Sequence, residues 1–221
     1  MNTKIRLSMV VLILAALACS SLSINTNQVV GSGHVVSETR DVANFTSVEL
    51  AGSADVNILL GNAESVNVEA DDNIVPLIQT IVTNGKLVIN TKPNKNFTNA
   101  NRVVVTLAMK SLERVTLSGS GNLHVADMAG PDLAVDLPGS GDITVDGIAD
   151  HVIVSLPGSG TIQCNGLKAK SAKVTLTGSG SITVYASENL DAGISGSGTI
   201  RYEGSPAQVT KSITGSGTIT P

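Results

Sequence analysis

One tripeptide, returning at a nearly fixed interval, limits this chain to very few folds. Gly-Ser-Gly begins at residues 119, 139, 158, 178, 196 and 215, so successive copies lie 20, 19, 20, 18 and 19 residues apart. The flanks keep the same register. Two residues before the first glycine stand Leu117, Leu137, Leu156, Leu176, Ile194 and Ile213. Two residues after the last stand Leu123, Ile143, Ile162, Ile182, Ile200 and Ile219. Farther out, Val115, Val135, Val154 and Val174 share a column that ends in Ala192 and Lys211, and Val125, Val145, Cys164, Val184 and Tyr202 share another. The positions between are polar: Thr116, Asp136, Ser155 and Thr175 on one side, His124, Thr144, Gln163, Thr183 and Arg201 on the other. Such alternation on both flanks predicts two half-buried strands meeting at a corner.

A unit of 18–20 residues is too short for an ordinary sandwich repeat and fits one coil of a solenoid, stacked on the last at about 4.8 Å. The expected fold is therefore all-β, a right-handed parallel β-helix (β-solenoid) with Gly-Ser-Gly corners. Aromatic residues make up only 2% of the chain and tryptophan is absent, so the interior must be a thin layer of Val, Ile, Leu and Ala. The corner residues are Gly119, Ser120 and Gly121; Gly139, Ser140 and Gly141; Gly158, Ser159 and Gly160; Gly178, Ser179 and Gly180; Gly196, Ser197 and Gly198; and Gly215, Ser216 and Gly217. Their glycines are expected to supply positive φ at the turn, and Pro138 and Pro157 to stiffen two corners.

Earlier copies are visible as Gly52-Ser53-Ala54, with alanine for the second glycine, and as Gly31-Ser32-Gly33. Residues 57–114 are less regular. The stretch from Asp71 to Ile78 reads as a short helical turn or cap around Pro76, Thr80–Val82 and Lys86–Asn90 as strands about an Asn84-Gly85 hairpin turn, and residues 92–101 as a polar loop.

The first 18 residues read as a signal peptide. Lys4 and Arg6 are followed by an apolar run of 12 residues from Leu7 to Ala18, too short to span a bilayer as a helix. Leu17-Ala18-Cys19-Ser20 resembles a bacterial lipobox, which implies cleavage before Cys19 and diacylglyceryl attachment to its sulfur; Ala16 stands where that pattern prefers leucine. Ordinary cleavage, with Cys19 incidental, is the rival reading. Residues 19–28 then form the lipidated cysteine and a polar tether, and 29–221 the solenoid. With Cys19 acylated or removed, Cys164 has no disulfide partner. Loss of the leader takes Lys4 and Arg6 from a net charge of -4, leaving -6.

The opening GSGHVVSETRDVANFTSVELAGSADVNI, the stretch NGKLVINTK and the repeated GSGxI/LxV resemble the head GIN domain family over nearly all of residues 29–221. That is a family of secreted bacterial proteins, many of them lipoproteins, described as autotransporter adhesins. The resemblance implies a β-helical protein at the cell surface and supplies no catalytic residues.

Other chemistries meet obstacles in the sequence. A phosphate loop needs Lys-Ser/Thr after its glycine, and a dinucleotide loop needs a helix to follow; here a strand pattern follows. The corner serines lack a positioned base, because His34, His124 and His151 fall at unrelated places around the tripeptide. Calcium-binding β-rolls need aspartate in successive rungs, whereas this column reads Asp55, Asn122, Asp142, Thr161, Ser181, Thr199, Thr218. A single local site at Asp136, Asp142 or Asp146 is the residual metal reading. A polysaccharide-acting β-helix enzyme needs clustered carboxylates, and Phe45, Phe97, Tyr185 and Tyr202 are too few for sugar stacking. An acidic surface without a basic stripe argues against nucleic acid, and Lys168, Lys170 and Lys173 read as solvated loop charges. The expectation is a non-catalytic surface binding or adhesion module with no cofactor and no resident metal. It is held to the membrane by its lipid and faces a surface or envelope ligand. An envelope-associated structural protein is the alternative.

Overall fold

The computed structural model describes residues 28–98 and 101–221. In chain order the strands are β1 (Gln28–Val30), β2 (Val35–Arg40), β3 (Ser47–Ala51), β4 (Asp55–Leu60), β5 (Ser65–Asp71), β6 (Ile78–Thr83), β7 (Lys86–Thr91), β8 (Asn96–Thr98) and β9 (Val104–Met109). The repeat region continues with β10 (Arg114–Leu117), β11 (Asn122–Asp136), β12 (Asp142–Leu156), β13 (Thr161–Gly178), β14 (Ser181–Gly196), β15 (Thr199–Glu203), β16 (Gln208–Gly215) and β17 (Thr218–Thr220). Each of the long strands β11 to β14 serves one rung after a corner and the next rung before one.

Pairing from β10 onward is parallel, and it joins equivalent positions of successive repeats: Leu156 lies opposite Leu176, which lies opposite Ile194, and Ile143 opposite Ile162. The protein is a β-solenoid. Its interior consists of the aliphatic columns. Leu137, Leu156 and Leu176 form one fully buried ladder, with Ile143, Ile162 and Ile182 facing them from the strands after the corner. Cys164 sits opposite Val184 inside the same layer.

The stack order is not the chain order. The β3–β4 rung lies directly beneath β10 and β11, with Val48 opposite Val115 and Val56 opposite Leu123. Beneath it lies a rung built from β7 and β9, which come later in the sequence. The chain thus builds a middle rung first, leaves, fills the outer rung, and crosses to the other side at β10. That outer end is edged by antiparallel strands: β6 pairs with β7, while β5 pairs with β9 and then with β2. Asn84 and Gly85 both take positive φ in the β6–β7 hairpin (51° and 75°), as a two-residue primed turn requires. A single 3-10 turn, Val75–Leu77, follows the Asp71 bend with Pro76 in its first turn.

Gly31-Ser32-Gly33 follows β1, and Gly31 N–H donates to the Thr98 carbonyl (2.8 Å) where the β1–β8 pairing ends. The side chains of 71–73 hold it as well: Ser32 N–H donates to Asn73 (3.0 Å), Ser32 Oγ to Asp72 (2.6 Å), and Gly33 N–H to the buried Asp71 (3.2 Å). Two expectations need correction. The polar stretch 92–101 is not wholly loop, because β8 pairs in parallel with β1 while Phe97 and Val29 pack against the core. Lys168, Lys170 and Lys173 lie along β13, exposed on its outward side, because strand alternation continues through that segment.

Candidate functional site

The corner residues assemble into one column seven layers high, with Gly52-Ser53-Ala54 at its base. Backbone hydrogen bonds climb it, as from Ser140 N–H to the Gly119 carbonyl (3.0 Å) and from Thr161 N–H to that of Gly141 (3.1 Å). The glycines are there for a reason other than the one expected. Only Gly178, Gly196 and Gly215 among them take positive φ. What all six repeats share is close approach. A Cβ on Gly139 would lie 2.1 Å from the Gly119 carbonyl oxygen, and one on Gly141 2.0 Å from that of Gly121. At the base a Cβ on Gly52 would meet, among the described residues, only Leu50 Cδ1 at 3.9 Å. The serines between the glycines face outward as an exposed hydroxyl row.

Cys19 lies outside the described residues. The three histidines are dispersed: His34 stands 4.0 Å from Asp72, His124 4.0 Å from Asp146, and His151 on the strand side that precedes the corners. Asp136 is paired with Arg114, and Asp142 projects from the strands after the corner. Among the described residues no group of three or more His, Cys, Asp or Glu side chains could hold a metal ion. Lys170 donates to Asp150 at 2.6 Å, which raises the lysine pKa and lowers that of the carboxylate; Lys168 lies over the Tyr185 ring at 4.1 Å.

The feature the sequence reading missed lies on the outward side of the strands that precede the corners. Asp132, His151, Ser171, Asn189 and Gln208 stand opposite one another in successive rungs. Two residues on, Ile153, Lys173, Asp191 and Thr210 form a parallel column. From His151 and Ile153 onward both columns wall a groove of about 440 Å³, floored by Val152, Ala172 and Leu190. A signal for it exists, since each member of the first column stands seven residues before the first glycine of the next corner.

Asp132, His151 and Ser171 are the residue types of a nucleophile relay. They do not form one. The Ser171 hydroxyl accepts from the Asn189 amide (3.1 Å), no hydrogen bond joins His151 to either neighbour, and β-ladder backbone amides are committed to adjacent rungs. The groove instead offers amide, hydroxyl and imidazole groups plus one charge of each sign, successive members of each column lying one rung apart. Such a surface can hydrogen-bond an extended polar chain.

A family model described as "Putative auto-transporter adhesin, head GIN domain" matches residues 44–206. A protein described as a "putative adhesin" from Bacteroides fragilis shares the fold with a TM-score of 0.72 at 24% identity, over 87% of this chain and 99% of its own. A "putative adhesin" from Parabacteroides distasonis is 27% identical, with a TM-score of 0.55 over 87% of this chain and 99% of its own. Another protein of that organism, described as a "putative lipid binding protein", is 26% identical with a TM-score of 0.52, over 87% and 98% respectively. None of the curated proteins matches the chain.

Proposed function

The chain belongs to the head GIN domain family, and from that premise we propose that it is a cell-surface lipoprotein acting as a non-catalytic binding or adhesion module. The observation that carries this reading is the groove lined by His151, Ser171, Lys173, Asn189, Asp191 and Gln208, which runs across several rungs of a rigid stack. The hydrogen-bonded backbone ladder fixes the spacing at which these side chains emerge, so a repetitive ligand meets them in register. The family's adhesin description supports a surface or envelope location. Anchoring rests on Lys4 and Arg6, the apolar run to Ala18, and Cys19. In this reading 1–18 is removed, Cys19 carries the lipid, 20–28 is the tether and 29–221 the binding unit.

The test is retention of the purified protein on envelope material of its host, with Asn189→Arg/Gln208→Arg as the groove variant. Retention of the parent protein and at least about tenfold weaker retention of the variant, a loss of about 1.4 kcal/mol, is the expected result. Equal retention of both proteins would move binding off the groove. No retention of either would favour the envelope-associated structural protein.

A further inference from the structure

The apolar columns inside the solenoid run to the rung of β16 and β17, the last described, and one of them ends there in a cation. Lys211 lies opposite Ala192, in the column held lower down by Val115, Val135, Val154 and Val174. On the same side of β16, Val209 continues the column of Val152, Ala172 and Leu190, and Ile213 continues that of Leu176 and Ile194. Among the described residues no rung lies above them, and they are 42% and 47% exposed. Among the described residues β16 pairs only with β14 and β17 only with β15, so there a row of backbone donors and acceptors is open. The far end differs, since antiparallel strands edge it.

Lys211 bends across this open end. Its Nζ lies 3.5 Å from the carbonyl oxygen of Ile219 on β17 and 4.7 Å from the centroid of the Tyr202 ring on β15. The aliphatic stem thereby covers the interior while the ammonium reaches the strands on the other side of the corner. An unpaired edge with apolar inward side chains is a template for another chain of the same repeat. A lysine in the middle of it makes that addition costly, because the next rung would bury an ammonium between aliphatic ladders.

We propose that Lys211 is a stop residue, keeping the last rung from accepting a second copy of this chain as the next one. The inference does not rest on the adhesion reading. It is tested by size-exclusion chromatography with light scattering on the protein and on Lys211→Val, with circular dichroism and thermal melting as controls of folding. The parent protein should remain monomeric where Lys211→Val shows concentration-dependent association, at least about tenfold tighter, equivalent to about 1.4 kcal/mol. Lys211→Arg, which keeps the charge, should behave as the parent. If Lys211→Val fails to fold, Lys211→Met keeps the stem, drops the charge and carries the same expectation. Adding Ile213→Lys to the associating variant should restore the monomer. An unchanged monomer for the folded neutral variant, association of Lys211→Arg to the same degree, or association that survives Ile213→Lys would each overturn the proposal.

Discussion

Cys164 shows how much one position reports about the stack. It occupies a valine column, is fully buried, and lies opposite Val184. Burial pushes its thiol from 9.0 up to about 12, with Asp146 adding a smaller push in the same direction. At neutral pH the thiolate, which is the reactive form, is therefore absent as well as inaccessible. Reaction with a thiol reagent should be slow in the folded protein and fast after denaturation; a fast native reaction would contradict the burial. Cys164→Val, a near volume-conserving swap, should change stability by less than about 1.5 kcal/mol, whereas Cys164→Asp should cost on the order of 3–5 kcal/mol through an unpaired buried charge. The pH dependence has a definite sign. Below about pH 9 the folded and unfolded chains both hold the proton, and the thiol contributes nothing to the slope. Above it the unfolded chain loses the proton while the folded chain keeps it, so stability falls by about 1.4 kcal/mol per pH unit up to about pH 12. Urea unfolding at about pH 7.5 and about pH 10.5 should show a drop of about 2 kcal/mol more in the parent than in Cys164→Val.

At the scale of the corner, the two kinds of glycine make opposite predictions. Gly139→Ala drives a methyl group into the Gly119 carbonyl at 2.1 Å, and the obstacle is backbone that is itself hydrogen-bonded to Ser140. The rungs must separate, at about 1–3 kcal/mol or more. Among the described residues Gly52→Ala meets only Leu50 Cδ1 at 3.9 Å, and it should be neutral, or stabilising by up to about 1 kcal/mol as the unfolded chain loses freedom. Melting temperatures of the two variants check this directly; similar losses in both would show that the column is not held by close stacking. The hairpin at Asn84-Gly85 was legible because its signal is local, two residues that tolerate positive φ between alternating strands. The role of the corner glycines was not. Close approach is a distance between chain segments some 20 residues apart, and residue type alone does not separate it from a need for positive φ.

Across the whole molecule, one end of the stack is edged by antiparallel strands and the other by Lys211. Residues before the first strand are expected to tie the assembly to a membrane. Expressed in its host, the protein should take up labelled fatty acid and partition into detergent, and Cys19→Ala should lose both; labelling that persists in the variant would return Cys19 to an ordinary signal sequence. Stable anchoring by acyl chains follows from about 0.8 kcal/mol per buried methylene.

The sequence by itself determined the rung. Its 18–20-residue period, the aliphatic columns and the polar positions between them leave no other arrangement that buries the columns, so the Leu137–Leu156–Leu176 ladder and inward Cys164 could be read from spacing. Only the tertiary structure decided the order of the first rungs, because residues 57–114 pair across long separations, partly antiparallel, and carry no period. It also decided that Gly31-Ser32-Gly33 is clamped by Asp71, Asp72 and Asn73, which depends on what lies beside it and not on its composition. The groove falls between these cases: strand alternation puts its two columns on one face, two residues apart, but they become walls only when successive rungs stack in register.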